Sequence, residues 1–270
     1  MLFQRISRLG ARNDLVRQDS GDRSAIFAYK HLSGNTPGWE RERRQFQLRG
    51  GLTSTDLRSI LGLGSSSRMC WARQWLGMEE AVPTGFQKHL FEQGHEGEAA
   101  AAAWWPDHVP FEMPATLLTC PPLYIDVDGP WLPGKQHVPL WVSPDRLGVY
   151  LDGTCAPVEF KTCVVASPTS AREGVWRHYP QVCAQMAAVG ADHAWLVLWA
   201  PSISVDVYLV EWDQSYWRLM MRRVAELRED LPRLLRKMSA GERDEFAKLT
   251  RECAGVAGMR DAYWSHTLSK

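Results

Sequence analysis

Two acidic residues and a lysine lie close together in a stretch of the sequence that is rich in strand-forming residues. Asp145 follows a Ser-Pro pair, and fourteen residues later Glu159 and Lys161 flank Phe160. Because alternate residues of a strand point to the same face, Glu159 and Lys161 are predicted to project together while Phe160 points into the core. Asp145, at the end of a neighbouring strand, is predicted to converge on Glu159. Two converging carboxylates form a hard oxygen site that suits Mg²⁺ or Mn²⁺, and Lys161 beside it can stabilise charge on a phosphate oxygen.

Three further polar residues fall on the predicted helices that flank this stretch. Glu98 lies on the preceding helix, from which its carboxylate can complete the shell of a metal ion. Gln181 and Gln185 are four residues apart on the following helix, so they share one face of it. Amides there can bind a metal-bound water or a phosphate. The alternatives are an exposed helical glutamate and a polar stripe that faces solvent.

The elements that must position these residues can be predicted from periodicity and from breaking residues. Helices are predicted from Asp56, over Ser67–Leu76, over Phe86–Trp105 with its end at Pro106, over Ser170–Val189, over Gln214–Met238 and near Glu242–Arg251. Strands are predicted over Leu123–Val127, Val138–Val142, Gly148–Leu151, Ala156–Thr162, Ala194–Trp199 and Ser204–Glu211. This order indicates an α/β domain with a mixed central β-sheet flanked by helices.

The distribution of charge divides the chain. Residues 1–50 hold 10 Lys and Arg against 5 Asp and Glu and include a run of breakers, so they are predicted to form a basic, flexible extension. Residues 51–240 are predicted to form the main domain, and residues 241–270 a C-terminal helix and tail. Residues 51–210 are acidic, with 16 Asp and Glu against 9 Lys and Arg. Bound divalent cations would allow such a region to approach phosphate.

The overall composition excludes some classes of protein. The 270 residues contain no run of 18 apolar residues, so no membrane-spanning helix is expected. The six cysteines form no C-x-x-C pair, which argues against a zinc knuckle and favours an intracellular, reducing location in the cytoplasm or nucleus. Arginines interleaved with apolar residues at the N-terminus leave an organellar leader as an alternative. Equal numbers of basic and acidic residues, 31 of each, argue against nonspecific coating of nucleic acid.

Five segments in order carry a family resemblance, and their residues are Thr53-Ser54-Thr55-Asp56 with Leu61-Gly62, Gly94 with Glu98, Ser143-Pro144-Asp145-Arg146-Leu147, Glu159-Phe160-Lys161-Thr162-Cys163, and Tyr179, Gln181, Val182, Gln185 and Met186. The succession resembles the lambda exonuclease and YqaJ-type viral recombinases among the PD-(D/E)XK nucleases, over about residues 50–240. Arg146 departs from the family pattern, which has Gly, and Cys183 replaces a Gln. Thr55 stands where the family has Ser.

The resemblance implies a restriction-endonuclease-like core and a 5′ to 3′ exonuclease that acts on the ends of linear double-stranded DNA in recombination or repair. It also implies one or two Mg²⁺ or Mn²⁺ ions, a single-strand annealing protein as partner and a homotrimeric ring. The implied roles are metal ligands for Glu98, Asp145 and Glu159, a catalytic lysine for Lys161, site orientation for Gln181, and DNA contacts for Arg49, Thr55, Ser143, Arg146 and Gln185. The arginine that holds a terminal 5′-phosphate is expected at Arg49.

Two other functions remain open at this point. An endonuclease or an RNA-degrading nuclease would use the same acidic residues and lysine on a different substrate. A catalytically silent module for nucleic-acid binding or assembly would keep the fold without the chemistry. Binding of Mg²⁺ or Mn²⁺ that depends on Asp145 and Glu159 separates the enzymes from the silent module.

Overall fold

The computed structural model of the chain describes residues 25–28, 36–64, 68–75, 82–135, 137–164, 167–229, 248–252 and 264–268. Its α-helices are α1 (Pro37–Leu48), α2 (Asp56–Ile60), α3 (Arg68–Trp75), α4 (Gly85–His108), α5 (Pro168–Glu173), α6 (Tyr179–Val189) and α7 (Gln214–Glu229). Its strands are β1 (Ala25–Ala28), β2 (Leu52–Thr53), β3 (Thr116–Leu118), β4 (Leu123–Val127), β5 (Val138–Val142), β6 (Arg146–Val149), β7 (Cys155–Thr162), β8 (His193–Ala200), β9 (Ser204–Glu211) and β10 (Trp264–Thr267). Residues 248–252 are also helical.

The described strands form two mixed sheets. The smaller sheet has the order β1-β4-β5-β2, in which only the β2–β5 pair is parallel. The larger sheet has the order β10-β9-β8-β7-β6-β3, in which only the β7–β8 pair is parallel. The expected mixed α/β class with helices flanking the sheet is therefore confirmed, and its strands divide between two sheets.

Helices cover both faces of the six-stranded sheet, which explains its long apolar strands. On one face, Ala101 and Trp105 of α4 pack in a cluster with Phe160 of β7 and Val197 of β8. On the other face, α6 is buried along its whole length in the main core, where it meets the alternate residues of β8. The strand β7 consequently lies between two helices, and each of its side chains points toward one or the other.

Local signals account for the ends of these two helices. Thr84 and Gln87 form a capping box that starts α4. The helix α6 starts with Pro180 in its first turn and stops at Gly190, whose φ of 74° belongs to the left-handed region. The prediction that Pro106 ends α4 was wrong, because Val109 still donates its N–H to the carbonyl of Trp105 and the last turn continues past the proline.

Other boundaries also differ from the sequence-based predictions. The single helix expected over Ser170–Val189 is divided, because Gly174 ends α5 and Pro180 has no N–H to continue the ladder. The helix expected to reach Met238 is described as far as Glu229, and residues 230–238 lie outside the described residues. The final helix expected near Glu242–Arg251 is described only from residue 248.

Part of the expected N-terminal extension belongs to the fold. Strand β1 pairs with β4, and Phe46 of α1 packs on the rings of Tyr124 and Trp141. Of the expected extension, residues 25–28 and 36–50 therefore lie against the main fold, and the others lie outside the described residues. The division of the chain at residue 50 stays a prediction. Strand β10 likewise adds residues of the expected C-terminal tail to the larger sheet. Among the described helices, none is both long enough and apolar enough to span a bilayer.

Candidate active site

A cavity of about 720 Å³ opens at the ends of β5 and β7, between α4 and the turn that follows β2. Of the ten residues predicted for the site, eight line this cavity: Thr55, Glu98, Ser143, Asp145, Arg146, Glu159, Lys161 and Gln181. The two exceptions are Arg49 and Gln185. Tertiary structure thus brings together residues from the turn before α2, from α4, from the β5–β6 turn and the start of β6, from β7 and from α6.

Glu159 is the most completely fixed side chain of the site. It is 1% exposed, and alternation along β7 turns it toward α6 while Phe160 points toward α4. Its Oε1 accepts hydrogen bonds from the Nζ of Lys161 and, at 2.5 Å, from the Nε2 of Gln181. Its Oε2 accepts a hydrogen bond from the Nε2 of Gln185, also at 2.5 Å. Three donors on about four acceptor positions leave this carboxylate one orientation and about one free lone pair.

The two glutamines that hold Glu159 lie on α6, which is otherwise almost entirely apolar. Gln181 is 5% exposed and Gln185 is fully buried. Within the described part of the chain, their Oε1 atoms have no hydrogen-bond partner. A buried amide oxygen without a partner is costly, and the oxygen of Gln181, which lines the cavity, is the one that a bound group could reach.

Asp145 is held by the backbone of the strand that carries Glu159. Its Oδ2 accepts a hydrogen bond of 2.8 Å from the N–H of Phe160. Burial, and then the nearby charge of Glu159, raise the pKa of Asp145 well above its ordinary value. Burial alone would lower the pKa of Lys161, but Glu159 and Asp145 outweigh it, so the pKa of Lys161 is raised and the lysine stays charged.

Glu98 reaches the cavity because α4 approaches β7 closely. A Cβ at Gly97 would overlap the side chain of Thr162, and the Oγ1 of Thr162 donates a 3.2 Å hydrogen bond to the carbonyl of Gly94. The Oε1 of Glu98 then lies 3.2 Å from the NH1 of Arg146. Burial raises the pKa of Glu98, and Arg146 opposes the shift.

The expected set of three acidic metal ligands, Glu98, Asp145 and Glu159, stays a prediction. Among the described residues, no group of three His, Cys, Asp or Glu side chains is close enough to hold a metal ion. The carboxylate of Glu98 faces a guanidinium instead. Asp145 and Glu159 line the same cavity as Gln181, and Lys161 is hydrogen-bonded to Glu159. Carboxylate and amide oxygens are ligands that Mg²⁺ and Mn²⁺ prefer, so these residues could hold one such cation.

The residues expected to contact DNA fall into three groups. Thr55 is exposed at the rim of the cavity, and the Oγ of Ser143 accepts a 3.1 Å hydrogen bond from the Nε1 of Trp141. Arg146 lines the cavity, but its guanidinium is bound to Glu98. Arg49 is exposed outside the cavity at the end of α1, and Gln185 is buried behind Glu159. The expected DNA contacts of these two residues stay predictions.

Comparison with known proteins gives matches among solved structures alone. No family model matches the chain, and no curated protein matches it. The chain is similar to the crystal structure of an alkaline exonuclease (LHK-Exo) from Laribacter hongkongensis, with 16% identity and a TM-score of 0.47 over 82% of this chain and 100% of that chain. It is also similar to LHK-Exo in complex with dAMP, with 17% identity and a TM-score of 0.44 over 78% of this chain and 96% of that chain. At this level of likeness, inferences about the site depend on its own residues.

The sequence interpretation missed Arg43, which lines the cavity from α1. Its NH2 donates to the Oγ1 of Thr53 at 3.4 Å, and its guanidinium lies 5.0 Å from the ring centroid of Trp39. Burial lowers the pKa of Arg43. A local signal was available in the sequence. Thr36 can cap a helix, and Trp39 and Arg43 are then four residues apart on one face of it.

A second missed pair, Arg58 and His178, lies close to the charges of the site. The NH1 of Arg58 is 3.4 Å from the Nδ1 of His178. Burial, and then Arg58 and Lys161, lower the pKa of His178 well below its ordinary value. A neutral imidazole must accept from Arg58 through Nδ1, because a guanidinium has no acceptor. The residues are 120 positions apart, so no local signal indicates the contact.

Proposed function

We propose that the chain is a divalent-cation-dependent nuclease that hydrolyses phosphodiester bonds at the ends of linear double-stranded DNA, from 5′ to 3′. The observation that carries the proposal is the arrangement of Asp145, Glu159 and Lys161 in one polar cavity, with Glu159 clamped by Gln181 and Gln185. The ordered motifs that resemble the lambda exonuclease and YqaJ-type family support the choice of substrate and direction.

In this proposal Asp145 and Glu159 would hold Mg²⁺ or Mn²⁺. When bound, the cation lowers the pKa of a water molecule and offsets negative charge on the phosphate. Lys161 supplies a fixed positive charge at the reacting phosphate oxygens, since its raised pKa keeps it protonated. Gln181 and Gln185 keep Glu159 in one orientation, so no reorganisation is needed during the reaction.

Arg43 and Ser143 support the placement of a DNA strand in the cavity. Both line it on the side opposite α4, and Thr55 lies exposed on the same side. A guanidinium and two hydroxyls are suited to phosphate oxygens, and phosphate contacts of this kind fix the register of a strand without reading its bases. On this proposal Arg43 takes the phosphate-binding role that the sequence suggested for Arg49.

The decisive experiment is digestion of linear duplex DNA labelled at its 5′ or 3′ end, in Mg²⁺, with a covalently closed circle as a second substrate. The comparison is between the wild-type chain, Lys161→Ala and the matched control Lys88→Ala, a change at an exposed lysine of α4. The proposal requires rapid release of the 5′ label by the wild type and by Lys88→Ala. Lys161→Ala should be slower by about a thousandfold.

Other outcomes of this digestion have definite meanings. Cutting of the circle would replace the exonuclease with an endonuclease, and cleavage of labelled RNA in preference to DNA would change the substrate. Equal activity of wild type and Lys161→Ala would locate the chemistry elsewhere. No cleavage of DNA or RNA with either cation would leave a binding or assembly module.

The assembly belongs to the same proposal. A homotrimeric ring around DNA would retain the substrate by topology, which suits a chain of zero formal net charge. A single-strand annealing protein would then receive the exposed strand. Light scattering coupled to size exclusion tests the ring directly: a trimer is expected, and a monomer at all concentrations would contradict it.

A further inference from the structure

Arg146 places a permanent positive charge inside the candidate active site. It is the first residue of β6, directly after Asp145, and its side chain is 25% exposed. The NH1 of its guanidinium donates to the Oε1 of Glu98 at 3.2 Å and to the carbonyl of Asp145 at 2.5 Å. The guanidinium therefore links α4 to the turn that carries Asp145.

We propose that Arg146 is a built-in cation that withholds Glu98 from metal coordination and limits the cavity to one divalent cation, at Asp145 and Glu159. This inference rests on the proposed function, because it specifies the ion requirement of the same site. In this inference Arg146 does not contact DNA. Its positive charge replaces the charge of a second ion.

The pairing of charges in the cavity supports this assignment. Lys161 binds Glu159, and Arg146 binds Glu98. Within the described part of the chain, the carboxylate of Asp145 accepts from the backbone of Phe160 and from no side chain. Among the described residues, Asp145 is therefore the one of these three carboxylates with no cationic side chain bonded to it, and a divalent ion beside Asp145 and Glu159 would supply that cation. A second ion would need the charge of Glu98, which Arg146 already neutralises.

The chemistry of arginine makes the arrangement persistent. A guanidinium stays protonated at any pH at which the protein folds, and its planar fork can donate in two directions at once. Its contact with the carbonyl of Asp145 anchors the charge to the residue beside the proposed ion, so ion binding at Asp145 does not require Arg146 to move. Glycine at this position, as in the family pattern, would leave Glu98 without its cation.

The test is a count of bound Mn²⁺ by electron paramagnetic resonance of the free ion, together with calorimetric titration of the full chain without DNA. The variants are Arg146→Gln, which keeps a donor for the Asp145 carbonyl but loses the charge, Arg146→Lys, which keeps the charge, and the double variant E98Q/R146Q. One ion is expected for the wild type and for Arg146→Lys. Arg146→Gln should bind a second ion, and its first should bind about tenfold more tightly because a nearby positive charge is gone. The double variant should return to one ion.

Each contrary result has one meaning. Two ions in the wild type, or one ion of unchanged affinity in Arg146→Gln, would overturn the role of Arg146 while leaving the nuclease intact. No Mn²⁺ binding by the wild type, or binding that Glu159→Gln does not weaken, would overturn the cation-dependent nuclease itself. Circular dichroism of each variant shows whether it is folded, and Arg146→Ala replaces Arg146→Gln if the glutamine variant is not.

Discussion

Two buried carboxylates on the same face of the six-stranded sheet, Glu159 and Asp206, differ in the groups that bind them. One row of paired residues crosses the sheet from β7 to β10. Its members, in order, are Lys161, Leu198, Asp206 and Ser265. Asp206 is 2% exposed and Glu159, two residues before Lys161, is 1% exposed. The same sheet thus provides an internal reference for what a carboxylate does when it only stabilises the fold.

The reference carboxylate is balanced by its partners. Asp206 accepts from the Nε of Arg172 at 2.5 Å, from its NH2 at 3.0 Å and from the Oγ of Ser265 at 2.5 Å. Glu159 instead accepts from one lysine and two neutral amides, and among the described residues Asp145 accepts only from a backbone N–H. A bidentate arginine satisfies one carboxylate, whereas Asp145 has no cationic side chain bonded to it. The lack of a bonded cation at Asp145, more than burial, therefore distinguishes the candidate active site from the structural ion pair.

The largest expected effect is that of Asp145→Asn on activity. The amide keeps an oxygen acceptor for the N–H of Phe160 but loses the charge that would hold a cation, so the cleavage rate should fall by about a thousandfold. Without divalent ions the variant should be more stable than the wild type, because burial and Glu159 both oppose the charged form of Asp145. Urea unfolding in chelator and end-labelled digestion measure the two effects. Asp107→Asn, at an exposed site of α4, is the control. A loss of both stability and activity in Asp145→Asn would contradict the comparison.

The next effect concerns Gln185, which is buried behind Glu159 and cannot touch DNA in this structure. Gln185→Leu removes one donor from Glu159, and the cleavage rate should fall about ten- to a hundredfold through kcat with KM unchanged. Steady-state kinetics on linear duplex DNA separate the two constants. A rise in KM with constant kcat would mean that Gln185 contacts the substrate, as the sequence first suggested.

A change at Asp206, the reference carboxylate, should lower stability and leave activity nearly unchanged. Asp206→Asn breaks the pair with Arg172, and the free energy of unfolding should fall by about 1–2 kcal/mol, a modest loss because the side chain of Arg172 is 43% exposed and can turn to water. The cleavage rate of the folded variant should stay within about twofold of the wild type, since the charges in the cavity are unchanged. The midpoint of urea unfolding and the digestion assay measure both. A large loss of activity at full stability would show that Asp206 belongs to the site.

The sequence predicted those parts of the site that depend on local geometry. Alternation along β7 determines that Glu159 and Lys161 share a face, and helical spacing determines that Gln181 and Gln185 do, so both expectations have direct counterparts in the contacts. The strands over Leu123–Val127 and Val138–Val142 were predicted with their observed bounds. Strand-forming residues between segments rich in proline and glycine explain that success.

The parts that the sequence did not predict depend on contacts between distant residues. The pairing of Glu98 with Arg146 joins positions 48 apart and gives a predicted metal ligand a cationic partner that the sequence did not indicate. The entry of Arg43 into the cavity required α1 to pack on the smaller sheet through Phe46, which a basic and polar segment did not indicate. The spacing of Trp39 and Arg43 indicates at most a shared helix face, because packing between elements decides both contacts.

The smallest signal is a difference in slope with pH between the wild type and Asp145→Asn. A carboxyl group whose pKa is raised by folding binds more protons in the folded state than in the unfolded state, between its ordinary pKa and its raised pKa. Its contribution to stability is therefore present at low pH and is lost as the pH rises through the raised pKa. Asp145→Asn lacks this loss, so its stability advantage over the wild type should grow as the pH rises above the ordinary pKa of an aspartate, in the absence of divalent ions. His178, whose lowered pKa acts in the opposite direction, is common to both proteins and cancels in the difference. Urea unfolding at several pH values measures the trend, and an advantage that shrinks with rising pH would show that Asp145 is stabilised as a carboxylate, as Asp206 is by Arg172.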